Sequence, residues 1–156
     1  MTRRTLLLAA ALVLLVPEAA SAFFLSCNVS ATDVRFGSYT TDRLRTTGAV
    51  TVSCRGTGTN NPYVIALGKG SSPVYSDRTL RMGRQSLSYN LYTDSAHTRV
   101  WGDGGGGTET VTRLMTFRHD LLGPISQTTT VFAQLPAQGL PRPGRYVDAI
   151  VVLVIF

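Results

Sequence analysis

The residues of this chain whose types could do chemistry are few, and their spacing does not assemble a reaction. His97 and His119 could each serve as a general base, but a catalytic histidine needs a nucleophile beside it and a third group to orient it. No Gly-x-Ser-x-Gly elbow supplies that nucleophile. Asp103 opens a run of four glycines, Gly104 to Gly107. A phosphate-cradling loop would continue into Gly-Lys-Ser/Thr and a helix, and a calcium loop would place several oxygen ligands at alternate positions. Neither pattern follows, so the run reads as a tight turn. The sequence supports no catalytic residue, no metal site and no cofactor, and the chain reads as a non-enzyme.

Three further features carry alternatives. Trp101, the sole tryptophan, sits between a strand-like run and the glycine turn, where it either packs in the core or stacks on a sugar. Asn28-Val-Ser30 fits the N-glycosylation pattern, a frequent chance match that carries no weight by itself. Cys27 and Cys54 are the only cysteines, and the histidines lie too far along the chain to complete a metal set. In an oxidising compartment they are expected to pair, closing a loop of 28 residues worth roughly 3.6 kcal/mol in the chain-entropy model.

That compartment is implied by the first 22 residues. Arg3 and Arg4 form a positive start, Leu6 to Val16 an apolar stretch, and Ala20-Ser21-Ala22 a small-residue cleavage site, with the cut expected between Ala22 and Phe23. Residues 23–156 then form one domain, large enough for a real core. Thirteen basic and eight acidic residues remain in it, a formal charge of +5, and twelve of the basic ones are arginines. They are scattered and gather on no helix or aromatic motif, which reads as a solvated surface and excludes a nucleic-acid partner.

Beyond the leader the pattern is short alternating runs separated by turn residues, with no helical apolar stripe and no βαβ rhythm. About seven strands are expected: Cys27 to Phe36, Ala49 to Cys54, Tyr63 to Leu67, Ser86 to Tyr92, Val111 to Phe117, Gln127 to Leu135 and Tyr146 to Phe156. Val50, Val52 and Cys54 share one face, as do Leu87, Tyr89 and Leu91, and Val131, Ala133 and Leu135. The fold class is all-β, an antiparallel sandwich.

The last run, YVDAIVVLVIF, is the most apolar. At eleven residues it is too short for a membrane helix, which needs roughly 20, so no transmembrane segment is expected in the mature chain. A strand this apolar is expected deep in a sheet, with partners on both edges. Tyr146, Ile150, Val152, Val154 and Phe156 form its core-facing parity, with Asp148 as the polar exception.

Several motifs in order carry a resemblance. They are Cys27-Asn-Val-Ser with Phe36-Gly37-Ser38-Tyr39, Gly48 to Cys54, Arg81-Met82, Leu87 to Asp94 with Tyr89 and Leu91, Trp101-Gly102-Asp103-Gly104, and Pro143-Gly144-Arg-Tyr146-Val-Asp148. The mature chain resembles the spore coat protein U domain, a family similar to subunits of archaic (Csu-type) chaperone–usher pili. The resemblance implies an incomplete immunoglobulin-like sandwich that lacks its last strand. It also implies that the gap is filled in trans, first by a periplasmic pilus chaperone and then by the N-terminal extension of a neighbouring pilin subunit, with an outer-membrane usher as a further partner. The implied path is export to the periplasm and then to a surface fimbrium or coat. A donor burying about five apolar side chains gains on the order of 8–15 kcal/mol before ordering costs, as much as the whole stability of a typical domain.

Two departures from the family stand out. Only Phe23 to Ser26 precede Cys27, whereas a strand donor needs roughly ten extended residues, which suits a tip, adhesin-like or terminating subunit. The outward parity of the last run is apolar at Val147, Ala149, Val151, Leu153 and Ile155, where the family tends to place Thr. A loop covering this face is the expected reason, and a second protein contact is the alternative. An adhesin or carbohydrate-binding module is the alternative function, with a spore or outer coat component behind it.

Overall fold

Alternation, the strongest pattern in the sequence, becomes two antiparallel sheets in the computed structural model, which describes residues 23–117 and 123–156. The strands are β1 (Phe23–Thr32), β2 (Leu44–Thr57), β3 (Asn61–Leu67), β4 (Arg78–Met82), β5 (Gln85–Tyr92), β6 (Val111–Met115), β7 (Ile125–Leu135) and β8 (Val152–Ile155). One sheet has the order β1-β2-β7-β5-β4 and the other β6-β3-β8. This is the expected all-β immunoglobulin-like sandwich, and no described residue is helical.

The core forms where the inward parities of the two sheets meet. Val50, Val52 and Cys54 of β2, Leu87, Tyr89 and Leu91 of β5, and Val131, Ala133 and Leu135 of β7 are all buried, as their alternation predicts. Tyr63, Ile65 and Leu67 of β3 and Met115 of β6 oppose them. Cys27 stands opposite Cys54 in the β1–β2 ladder, and the two are joined by the expected disulfide.

Three elements differ from expectation. The first strand leaves the ladder at Thr32 rather than Phe36, because Val34 folds over β2 at Gly48. A Cβ at Gly48 would meet the Val34 methyl at 2.8 Å, so only glycine admits this crossing. Strand β4 is additional; it joins β5 through a two-residue hairpin in which Gly83 takes φ +58°.

The third difference concerns the terminal run, whose regular pairing is confined to Val152–Ile155 against β3. Upstream, Val147 exchanges two backbone hydrogen bonds with Arg81 of β4 (2.8 and 3.0 Å), and Gly68 N–H donates to Val151 O at 2.8 Å. All these bonds use one edge. Among the described residues nothing pairs the other, so the most apolar strand is an edge strand instead of a central one. Antiparallel alternation turns the N–H and C=O of Val152 and Val154 toward that unpaired edge.

Candidate functional site: an open cleft beside the terminal strand

The unpaired edge of the terminal segment borders a cleft of about 980 Å³ that runs in between the sheets. Protein interiors have few voids larger than a water, so a space of this size is a feature to be explained. One wall is the segment from Ala31 to Tyr39, where the chain leaves β1; the other runs from Leu140 to Asp148 and on through Ile150 and Val152. Buried apolar side chains such as Leu67, Leu87, Leu91 and Val131 lie beneath.

Local chemistry fixes both walls. Tyr39 donates its hydroxyl hydrogen to Gln138 O at 2.8 Å and accepts from Gln138 N–H at 2.6 Å, pinning the first wall to the loop after β7. Phe36 packs edge-on to Tyr89, with ring centroids 6.0 Å apart. On the second wall, Asp148 Oδ1 accepts from Ser71 N–H at 2.8 Å and from Ala149 N–H at 2.9 Å, while Oδ2 accepts from the Tyr89 hydroxyl at 2.7 Å. Gly70, at φ +68°, passes so close that any Cβ would collide with this carboxylate. Burial first, then the Asp148 carboxylate, push the Tyr89 hydroxyl pKa well above its ordinary value, so it stays a donor.

Of the predicted cleft residues, Tyr146, Ile150 and Val152 line the cleft, half-buried against the core. Val154 and Phe156 fall beyond it. There the Phe156 ring meets Phe24 of β1 at 4.6 Å and Tyr63 at 6.0 Å, and Phe24 stands edge-on to Phe117 at 5.6 Å. This aromatic cluster lies past Val152 along the terminal segment, and Phe156 itself is 52% exposed. The charged residues that line the cleft are Arg35, Arg142 and Arg145 with Asp33 and Asp148.

A buried cation organises the region behind the cleft. Arg78 has no exposed surface, which corrects its reading as part of a solvated basic scatter. Its guanidinium donates to Gly68 O (3.0 and 2.8 Å), Asn90 Oδ1 (2.6 Å) and Trp101 O (2.6 Å), and it lies over the Tyr75 ring. Desolvation lowers its pKa, yet carbonyl dipoles hold the charge where no carboxylate pairs with it among the described residues. Nothing in the spacing of Arg78 distinguishes it from the exposed arginines; only its β4 register, opposite Tyr89, does.

The Spore Coat Protein U domain matches residues 14–153. The chain belongs to the Spore Coat Protein U domain family. Among solved structures it is similar to a chain of the CsuC–CsuE chaperone–tip adhesion subunit pre-assembly complex from archaic chaperone–usher Csu pili of Acinetobacter baumannii. The identity is 24% and the TM-score 0.57, over 84% of this chain and 40% of that one. The chain therefore spans less than half of that neighbour's length, and the likeness is one of fold. No curated protein matches it.

The motifs of this Spore Coat Protein U chain divide between the cleft and the scaffold. Phe36, Gly37, Tyr39, Tyr89, Leu91, Gly144, Tyr146 and Asp148 line the cleft. Trp101, Gly102, Asp103 and Gly104 do not. Trp101 is fully buried and donates its indole N–H to Ile65 O at 3.0 Å, so it has no face to offer a sugar. Asp103 caps the glycine turn by accepting from Gly105 N–H at 2.9 Å, which settles the run as a turn. His97 sits with φ +60° against Tyr92 and Phe132, with neither ring nitrogen hydrogen-bonded among the described residues. His119 and Ala22 lie outside the described residues. Among the described residues no group of three or more His, Cys, Asp or Glu gathers for a metal, and no helix is long and apolar enough to cross a membrane.

Among the described residues no loop covers the outward parity of the terminal segment, contrary to expectation. Val151 is 71% exposed, and Val147, Leu153 and Ile155 are each more than half exposed. The β3–β8 and β3–β6 registers set Val64 beside Ile155 and Pro62 beside Leu114, extending the apolar face across the smaller sheet.

Proposed function

We propose that this chain is an exported structural subunit of a pilus or surface coat, and that its cleft accepts a β-strand from another protein. The observation that carries this is the pairing of the terminal segment along one edge only, beside a cleft that reaches the core. A strand laid there would meet the open N–H and C=O groups of Val152 and Val154 and cover Tyr146, Ile150 and Val152 at the same time. The family and the fold it shares with a Csu complex support a periplasmic chaperone as the first donor, a neighbouring subunit as the second and an outer-membrane usher as the assembly site. The path is through the periplasm to the cell surface after cleavage between Ala22 and Phe23.

With that cleavage, the first residues of the mature chain are already paired: Phe23 lies opposite Thr57 and Phe24 opposite Gly56. They are part of β1 rather than a free extension, which supports a tip or terminating subunit. The adhesin alternative loses its anchor with the burial of Trp101.

Co-expression with a chaperone of the archaic chaperone–usher class tests the reading. The expected result is a one-to-one complex and little soluble chain without the chaperone. A soluble, cooperatively unfolding monomer obtained alone overturns it.

A further inference from the structure

We propose that the outward face of the smaller sheet docks a second copy of this chain, the two faces packed on each other about a two-fold axis. Val151, Leu153 and Ile155 of this face do not line the cleft, so the contact is independent of strand acceptance.

The apolar surface is gathered rather than scattered. Nine large apolar side chains are exposed among the described residues, and five of them lie on this face: Leu114, Val147, Val151, Leu153 and Ile155. Single exposed apolar side chains are ordinary on a soluble protein, whereas a contiguous group marks a contact surface. The registers make the group contiguous, since Val64 of β3 stands beside Ile155 on one side and Thr112 of β6 on the other.

Charge selects the partner. At the outward positions of β3, of β6 and of residues 147–155 no residue is charged, and Thr112 carries the sole hydroxyl. An anionic lipid surface or an acidic protein would draw on Lys or Arg, and these positions offer neither. Residues 23–156 carry a formal charge of +5, so two copies repel where their arginines approach, and at this face they meet without charge. A two-fold contact needs a patch complementary to itself, which a pleated apolar face with almost no side-chain donor or acceptor to match satisfies. Two such faces pack about 10 Å apart with their strands crossed by about 30°, as the sheets of a sandwich do.

Area sets the strength. Residues 147–155 extend over roughly 30 Å, and three strands side by side are roughly 14 Å wide. That is about half of the roughly 800 Å² that each partner gives to a stable interface. The contact is therefore weak: dilute copies stay apart, and copies held side by side associate.

The test uses the full chain with its leader, produced in bacterial cells, with Val151 (71% exposed) replaced by the photo-crosslinker p-benzoylphenylalanine. Irradiation of intact cells should give a covalent band of twice the chain's mass. Its linked peptides should join position 151 to residues 147–155, 62–64 or 112–114 of the second copy. The same crosslinker at Thr130, exposed on the larger sheet, should give little of this band. Adding Leu153→Lys to every copy should weaken the band on the order of tenfold, as should Leu153→Asp, and cells making both variants should recover about half of it or more. The amount of monomer reports whether each variant is still made and exported, and the chain with Leu153 intact decides the first point without them. No band, an equal band from position 130, a link to residues 1–22 of the same chain or a link to another protein overturns the proposal. Variants that weaken the band singly and fail to restore it together overturn the two-fold arrangement.

Discussion

The hydroxyl of Tyr89 donates a 2.7 Å hydrogen bond to Oδ2 of Asp148, and through this contact β5 of the larger sheet holds the segment that becomes β8 of the smaller one. The same carboxylate also takes the Ser71 N–H, so one side chain ties the terminal segment to the β3–β4 loop as well.

Tyr89→Phe should therefore cost about 1 kcal/mol, because Asp148 keeps its two N–H donors. Asp148→Ala should cost about 2–3 kcal/mol, since it leaves the Tyr89 hydroxyl and the Ser71 N–H without a partner. The double substitution should cost less than the sum, as expected for groups in contact. Urea midpoints of the four proteins measure this, and strict additivity would refute the coupling.

Arg78→Met should destabilise by about 3 kcal/mol, because Gly68 O, Trp101 O and Asn90 Oδ1 lose a buried donor together. Arg78→Lys should recover less than half of that, since an ammonium cannot reproduce the planar fork. Thermal unfolding of both variants decides the point.

Stability should fall in acid through two turn-capping carboxylates. The Arg99 N–H, followed by the Thr98 hydroxyl and N–H, holds the Asp94 pKa below its ordinary value, despite an opposing cost of desolvation. The Gly105 N–H does the same for Asp103, seconded by Tyr75. A carboxyl with a depressed folded pKa adds stability above its unfolded value, near 3.8, and loses it as pH falls through the folded value. Below about pH 4 the urea midpoint should drop more for the natural chain than for Asp94→Asn with Asp103→Asn. Parallel pH profiles would refute this.

The exposed apolar face of the smaller sheet should govern self-association and contribute little to the fold. Leu153→Thr with Ile155→Thr, both at positions more than half exposed, should change stability by about 0.5 kcal/mol or less. Sedimentation should show less concentration-dependent association. A large loss of stability would mean that the face is packed.

The parts of this architecture that were legible in the sequence are those where a period of two coincides with one buried face, as at Val50, Val52 and Cys54 or Leu87, Tyr89 and Leu91. Strand β4 was not legible because its one fully buried residue is a charged one, Arg78, which local pattern assigns to water. The end of β1 was equally hidden, since what stops the ladder is the contact of Val34 with Gly48, a residue on another strand. At the cleft, Tyr146, Ile150 and Val152 follow the alternation of the terminal segment, while Phe156 at its end is more than half exposed. The arginines that line the cleft were not legible, because they come together only when the segment after Thr32 and the loop before Tyr146 are placed side by side. Trp101 showed the remaining gap: an aromatic beside a turn reads equally well as a binding platform or a core residue, and only burial separates the two.

The disulfide makes the two sides of the cleft mechanically unequal. β1 is riveted to β2 by Cys27–Cys54 in addition to its ladder, so the strand that leads into the first wall cannot be exchanged or peeled away while that bond is intact. β8 hangs on β3 by four residue pairs. Widening of the cleft must then come from the terminal side, as a door opens from its hinge and never from its frame.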